Sequence, residues 1–424
     1  MKYFDLFGIG AGPANLSLAA LSVKAPYLKA YFCDSQPKLI WHQGMLISDS
    51  KLQVSYLKDL VTLVDPTNPY SFLNFLHQKG CLYQFITSDF QKISRLEFSN
   101  YLNWVFNSLD SVHGNEQALS VEYSSNKSFI VTTSKDVYET KNLVLGNGLS
   151  PYTPECCLDF INEDIFHNSQ FLYKQQNFAD KRVAVIGGGQ SGAEILLNLI
   201  SDNDNRPSEI YWFSKAQNFL PIDDSPFTNE LFTPQYMQYF YALPNQQKQS
   251  LLEEHRLASD GISNITAQEI YRKLYEFKFI KDAGEEIYLL PSHKLTGVVK
   301  HKDEYLLTID DLANNKKKDF KVDKAILCTG YKHKFPNYLS NLKNKIHVDN
   351  NDNLVVNTDY SLSWDNTDNC SIYIQNGARH SHGIADPNLS LLAYRSAIIL
   401  NTIAKQDIYQ NLNGSSLVHW GLDV

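Results

Sequence analysis

Two glycine-rich turns carry the most informative spacing in this chain: Gly8-Ile9-Gly10-Ala11-Gly12-Pro13 and Gly187-Gly188-Gly189-Gln190-Ser191-Gly192. In such a turn one glycine permits the sharp bend from strand to helix, and another lets the backbone close on a pyrophosphate. A third lets helix and strand pack, and the phosphates sit over the helix N-terminus. One match alone is weak, but here each turn follows an apolar strand-like run and opens a helical pattern. Two sites for two dinucleotides is the reading.

At the first turn, Tyr3 to Phe7 reads as a strand and Asn15 to Leu21 as a helix; the next strand, Ala30 to Cys33, ends in Asp34. A carboxylate about twenty residues beyond the glycines is placed to accept ribose hydroxyls. At the second turn, Arg182 to Ile186 is the strand and Ala193 to Ile200 the helix. The following strand, Glu209 to Phe213, ends in Ser214-Lys215. An acid there would repel a 2′-phosphate, whereas a hydroxyl and an ammonium can hold one. The second nucleotide is therefore expected to be NADPH.

The elements that must position these turns follow from pattern. Glu97 to Val105 reads as a helix, and Phe129 to Thr133 and Asn142 to Gly146 as strands, with Gly146-Asn147-Gly148 a turn near the first nucleotide. Lys324 to Tyr331 is a strand running into a small-residue turn. After residue 335 the chain is expected to return to the first domain, with Ser371 to Asn376 as its last strand and Leu389 to Leu400 as the following helix. The fold class is α/β, with two Rossmann-like dinucleotide-binding domains and a small helical insertion. The first domain spans 1–165 plus 335–424, the second 166–215 plus 291–334, and the aromatic insertion 216–290. Asp223-Asp224-Ser225 and Ser259-Asp260-Gly261 are read as its turns.

Composition narrows the partners. The chain has 424 residues, 43% apolar and 20% charged, with a formal charge of −8. That balance argues against nucleic acid or an anionic membrane. The one basic run, Lys316-Lys317-Lys318, is read as a solvated hairpin turn. Six cysteines show neither CxxC spacing nor a secreted framework, so reduced thiols in a cytoplasmic protein are expected. No metal-ligand spacing and no G-x-S-x-G signature is present.

A dinucleotide site that takes hydride and then reacts further is most economically a flavin site. A disulfide reductase would need a redox cysteine pair, and none is spaced for it, which favours oxygen chemistry.

Longer blocks carry a family resemblance. GIGAGPANLSLAAL, WHQGML at Trp41 to Leu46, LQVSYLKDLVTLVDPTNPYSFLNFL at Leu52 to Leu76, IGGGQSGAE, DSPFTNELF, LCTGY at Leu327 to Tyr331 and HGIADPNLSLLAYRSA at His382 to Ala397 occur in order along nearly the whole chain. The chain resembles the N-hydroxylating flavin monooxygenases of siderophore biosynthesis. The resemblance implies that NADPH reduces FAD and that O2 then oxidises the neutral terminal amine of a small substrate to a hydroxylamine.

It also implies roles for single residues. Lys58 matches a lysine that binds an amino-acid carboxylate, Asn229 an asparagine that contacts substrate, and Ser390 a residue of the C-terminal substrate segment. Gln53 matches a glutamine beside the flavin. Gln53, Lys58, Asn229 and Ser390 form the expected catalytic set. Trp41, His42, Asn229, Thr329, Gly330, Tyr331 and Leu389 join Gly8, Gly10, Gly12, Pro13, Asp34, Gln53, Gly187, Gly189, Gln190, Ser191, Gly192, Ser214 and Lys215 as expected cofactor residues. Without the blocks, Asn229 would read as a helix cap, Lys58 as a surface cation and Ser390 as a buried helical hydroxyl. His42 and His382 are assigned no catalytic role.

The family's ornithine-specific asparagine stretch is replaced here by Ala258 to Ser263, which points to lysine or a decarboxylated amine such as putrescine, cadaverine or histamine. Ser259 and Asp260 would lie near the substrate, and Asp260 would suit a second ammonium, whereas Lys58 would not. L-ornithine, a flavin-dependent NADPH oxidase or other monooxygenase, and a nucleotide-binding regulator are the alternatives. A homo-oligomer, dimer or tetramer, is expected.

Overall fold

The computed structural model describes residues 1–48, 50–174, 177–281, 286–365 and 370–421. The domain spans above also include positions outside these residues. Two sheets, one mixed and one parallel, frame the molecule.

In the first, β1 (Lys2–Ile9) is the hub, buried from Leu6 onward because neighbours cover both of its faces. It leads through the glycine turn into α1 (Pro13–Ser22), which begins with proline where a missing N–H costs nothing. α1 is buried from Ala14 to Ser22 and packs against the helices Arg95–Ser108 and Leu392–Ala404. β2 (Ala30–Cys33) and β3 (Val137–Leu145) flank β1 in parallel, with Gly8 opposite both Phe32 and Val144.

A hairpin, Ala118–Tyr123 with Phe129–Thr133, runs antiparallel to the first half of β3. Ser371–Ile374 pairs in parallel with its second half, Ile372 opposite Leu143. The chain therefore does return to its first domain to complete the sheet.

The second domain repeats the unit with β4 (Arg182–Ile186), α2 (Gln190–Ser201) and β5 (Glu209–Ser214). Its sheet is parallel throughout, in the order Ile287–Pro291, β5, β4, Lys324–Leu327, Ile165–His167. Pairing moves two boundaries: Ile165 opens a strand of the second sheet, and Ile287–Pro291 belongs to that sheet rather than to the insertion. Two connections between the domains run side by side, with Tyr331–Lys332 antiparallel to Ser150–Pro151.

A separate antiparallel sheet, His293–His301, Glu304–Asp311 and Lys316–Val322, covers the second domain. It corrects the reading of the basic run. Lys316, Lys317 and Lys318 are strand residues with exposed side chains, not a turn; Lys316 and Lys317 stand opposite Asp311 and Asp310. Opposite charges across the ladder hold the lysines in register.

The helical insertion divides its loyalties. Leu231, Phe232, Tyr236, Met237 and Phe240 pack against Ile384, Ala385, Leu391 and Tyr394 of the first domain. Ile262, Ile270 and Phe277 pack with Ile195 and Leu199 of α2 in the second. Ser259 and Asp260 close the helix Arg256–Asp260, with Gly261 as its C-cap, instead of lying in a loop.

Candidate functional site

The first glycine turn opens on a cleft of about 650 Å3, walled by Gly10, Gly12, Pro13, Asp34 and Gly146 to Gly148 at one end and by Trp41, His42, Tyr331 and Leu389 at the other. Its floor demands glycine. Gly10 has φ +84°, and a Cβ there would stand 2.8 Å from the Gly146 carbonyl oxygen; at Gly8 it would strike the Phe32 ring at 2.1 Å. The N-cap of α1 is Gly12, which has no side chain to cap the helix, so the first-turn amides are free for a phosphate. Asp34 accepts hydrogen bonds from the N–H groups of Ala11 at 2.7 Å and Gln36 at 2.8 Å, which fixes its carboxylate at the cleft wall. Size, glycine cradle and carboxylate together fit an adenine dinucleotide of flavin size.

A buried polar chain braces this turn. Asn15 donates to the Gly10 carbonyl at 2.7 Å, and Gln375 donates to Asn15 Oδ1 at 2.8 Å. Arg395 donates to Gln375, to Asn376 and to Asp386, the last at 2.8 Å.

The second turn is built alike. Gly187 has φ +132° and its Cβ would meet the Cys328 carbonyl oxygen at 2.1 Å, while Gly192 packs on the carbonyl of Gly187. Gly189, the N-cap of α2, again lacks a capping side chain. Ser214 is buried beneath this turn, its Oγ 2.2 Å from where a Gly188 Cβ would be and accepting from the Ala216 N–H. The Ser214 hydroxyl is thus packed under the loop, and the exposed Lys215 is the group presented to solvent. Gln190 ties the turn to the insertion, donating to Thr266 and accepting from the Ser263 N–H. Thr329 donates to the Tyr152 carbonyl, and Gly330, at φ +81°, accepts at its carbonyl from the His167 ring and the Tyr152 N–H.

Between the two domains lies a smaller pocket of about 250 Å3, lined by Trp41, His42, Lys51, Gln53, Arg95, Ser191, Tyr331 and Pro387 to Leu389. It joins the large cleft through shared walls. Among the described residues its lining holds no acid and two cations, Lys51 and Arg95. Gln53 Oε1 is buried without a protein partner among the described residues. Arg95 and Glu194 form an ion pair across the domain junction, and Arg95 also donates to the Met45 carbonyl.

Of the expected substrate residues, the fold joins two. Lys58 Nζ donates to Ser390 Oγ at 2.9 Å, and Ser390 in turn donates to Asn388 Oδ1 at 2.8 Å. Burial pulls the Lys58 ammonium below the usual lysine range. No carboxylate pairs with it among the described residues.

Asn229 is not part of this group: exposed on a short helix, it donates to the carbonyls of Asp224 and Ser225. Asp260, its side chain half-exposed, pairs with Arg379 at 3.2 Å, and Arg379 also reaches Ser259. That Arg379 partner, distant in sequence, is what the sequence reading lacked.

Sequence reasoning also missed Asn388, Asn376, Arg95 and Glu116 to Ala118 as wall residues of these cavities. Asn388 stood inside the HGIADPNLS block, next to residues that were singled out. His42, at φ 52°, holds a left-handed backbone unusual for a non-glycine residue.

The comparisons with known proteins agree with this geometry. Residues 2–333 match the family model described as L-lysine 6-monooxygenase/L-ornithine 5-monooxygenase. The L-lysine N6-monooxygenase of Escherichia coli is 35% identical over 420 residues, 99% of each chain. A cadaverine monooxygenase of desferrioxamine biosynthesis from Erwinia amylovora, solved bound to FAD, superposes with a TM-score of 0.94 at 28% identity, covering 100% of both chains. An ornithine N-hydroxylase from Kutzneria, solved with reduced FAD, NADP+ and L-ornithine, superposes with a TM-score of 0.89 at 29% identity, covering 95% of this chain and 99% of that one. The chain belongs to the L-lysine 6-monooxygenase/L-ornithine 5-monooxygenase family, the flavin-dependent N-hydroxylating monooxygenases.

Proposed function

We propose that this enzyme uses FAD, NADPH and O2 to hydroxylate the N6 amine of L-lysine, yielding a hydroxylamine for siderophore biosynthesis. One observation carries the choice of substrate: the Lys58 ammonium is half-buried, held by the Ser390 hydroxyl alone, and has no counter-charge among the described residues. Such a cation favours an anionic partner, and the α-carboxylate of an amino acid is one. A diamine would bring a second ammonium to it instead. Asp260, the acid that would suit that ammonium, already shares its charge with Arg379.

Bound FAD, reduced by NADPH, supplies the activation of O2 and the delivery of one oxygen atom to the amine. The residues of this chain handle the proton and the position. A lysine side chain has a free pKa of about 10.4 and must be neutral to react. The smaller pocket disfavours the ammonium: among the described residues it is walled by apolar groups and the cation Lys51, with no lining acid, and the charge of Arg95 there is matched by Glu194. The Gln53 carbonyl is an uncharged acceptor for the amine N–H. Lys58 and Ser390 fix the far end, Lys215 binds the 2′-phosphate of NADPH, and Asp34 the ribose of FAD. Asn229 lies outside the hydrogen-bonded group and is assigned to substrate only through the family match.

Among the described residues no disulfide joins the six cysteines, which supports a cytoplasmic setting, and no helix is long and apolar enough to cross a membrane. The exposed aromatic stripe Tyr271, Tyr275 and Phe279, at helical spacing, supports self-association.

The cadaverine monooxygenase that overlaps the whole chain keeps cadaverine as the second reading. The test is hydroxylamine formation with NADPH and O2 across lysine, ornithine, putrescine, cadaverine and histamine. Lysine is expected to give product, and Lys58→Met to lower kcat/KM for lysine by about 10- to 100-fold, the weight of one charged hydrogen bond. NADPH consumed to peroxide with all five amines would replace this reading with an NADPH oxidase.

A further inference from the structure

Ser390 has one hydroxyl proton, and it is already committed. Both its hydroxyl and its backbone N–H donate to Asn388 Oδ1, at 2.8 Å and 2.9 Å, so that Asn388 caps the turn Leu389–Leu391 with its own side chain. The Ser390 oxygen is left to accept from Lys58 Nζ at 2.9 Å. The chain has one polarity, from ammonium to hydroxyl to carboxamide. Ser390 is only 4% exposed, so little water competes for these bonds. Asn388 also lines both cavities, and its amide nitrogen makes no hydrogen bond to protein among the described residues.

We propose that Asn388 is a specificity-determining residue for the substrate's far end. Its uncharged oxygen holds Ser390 as an acceptor for Lys58 without neutralising the ammonium, so the positive charge remains available to a carboxylate. This rests on the assignment of Lys58 as the carboxylate binder. A carboxylate at 388 would accept the same two hydrogen bonds, preserving the turn, but would stand two hydrogen bonds from Lys58 and compensate its charge. The site would then discriminate against a carboxylate and tolerate a second ammonium.

The experiment compares Asn388→Asp, Asn388→Ala and Lys58→Met, measuring kcat and KM for L-lysine and cadaverine. Calorimetric binding of each amine to the FAD-loaded protein without NADPH is measured alongside. Asn388→Asp is expected to weaken lysine binding and raise its KM by about tenfold or more, a loss within the range of one charged contact, while cadaverine binds more tightly. Asn388→Ala is expected to raise the lysine KM several-fold with no gain for cadaverine.

Lysine bound as tightly by Asn388→Asp as by the parent, or lysine and cadaverine weakened alike, overturns the role of Asn388. If Asn388→Asp fails to retain FAD, Asn388→Ala decides, and an unchanged lysine KM overturns the proposal. Lys58→Met separates the two levels: unchanged lysine binding there removes the carboxylate reading itself. Lysine weakened by Lys58→Met but not by Asn388→Asp removes only the inference about Asn388.

Discussion

Replacing Arg395 with methionine should destabilise the first domain more than any other single change along its polar core. The Arg395 side chain is 1% exposed and its partner Asp386 is wholly buried. The guanidinium donates to Asp386, Gln375 and Asn376, while the other Asp386 oxygen accepts from the Ala378 N–H. Methionine fills comparable volume but leaves a buried carboxylate without its cation, at a cost of about 3–5 kcal/mol. For a unit of about 250 residues this is a fall in melting temperature of about 6–10 °C.

FAD affinity should fall with it, because Asn376 and Pro387 to Leu389 line the cleft and Gln375 braces Asn15 beneath the Gly10 carbonyl. Thermal unfolding followed by circular dichroism and by release of flavin fluorescence reads both effects. The double variant Asp386→Asn with Arg395→Met removes the uncompensated charge and should recover part of the loss. An Arg395→Met protein that melts within a degree or two of the parent and keeps its flavin would refute the reasoning; so would a double variant less stable than the single one.

Gly10→Ala forces a side chain onto φ +84° and within 2.8 Å of a backbone oxygen; the purified protein is expected to lack FAD, which an absorbance spectrum checks. Lys215→Asp should raise the KM for NADPH by about tenfold or more and narrow its advantage over NADH, read from initial rates of nicotinamide oxidation. Burial holds the His382 imidazole neutral, with its pKa lowered to about 4, the cations Arg395 and Lys248 adding to the effect and Asp386 opposing it. The unfolded chain takes up this proton from about pH 6.5 downward and the folded one does not, so stability is unaffected above that pH and falls by about 1.4 kcal/mol per unit towards pH 4. His382→Phe should therefore lose about 2 kcal/mol less than the parent between pH 6.5 and 5, measured by urea unfolding. The lowered pKa of Lys58 predicts that the KM for lysine rises with pH before an ordinary lysine would titrate, near 10.4, and that Lys58→Met lacks this limb.

Both nucleotide domains were legible in the chain because their signals are local. Ala30–Cys33, Phe129–Thr133 and Arg182–Ile186 form strands with the very ends their apolar runs suggest. A glycine turn needs only its neighbours to adopt its bend. Lys316 to Lys318 misled for the converse reason: composition alone suggests a solvated turn, whereas pairing with the preceding strand keeps them in a ladder.

The candidate site was legible as residue types within blocks, not as an arrangement. Lys58 and Ser390 meet across 332 residues. Arg379 takes Asp260 from 119 residues away, and Asn388 gains its importance only through the proton it receives from Ser390. Backbone geometry is set by a few adjacent residues and so can be read along the sequence. The availability of a charge depends on which groups surround it in space, and that was decided by the return of the chain after its second domain to complete the sheet of the first.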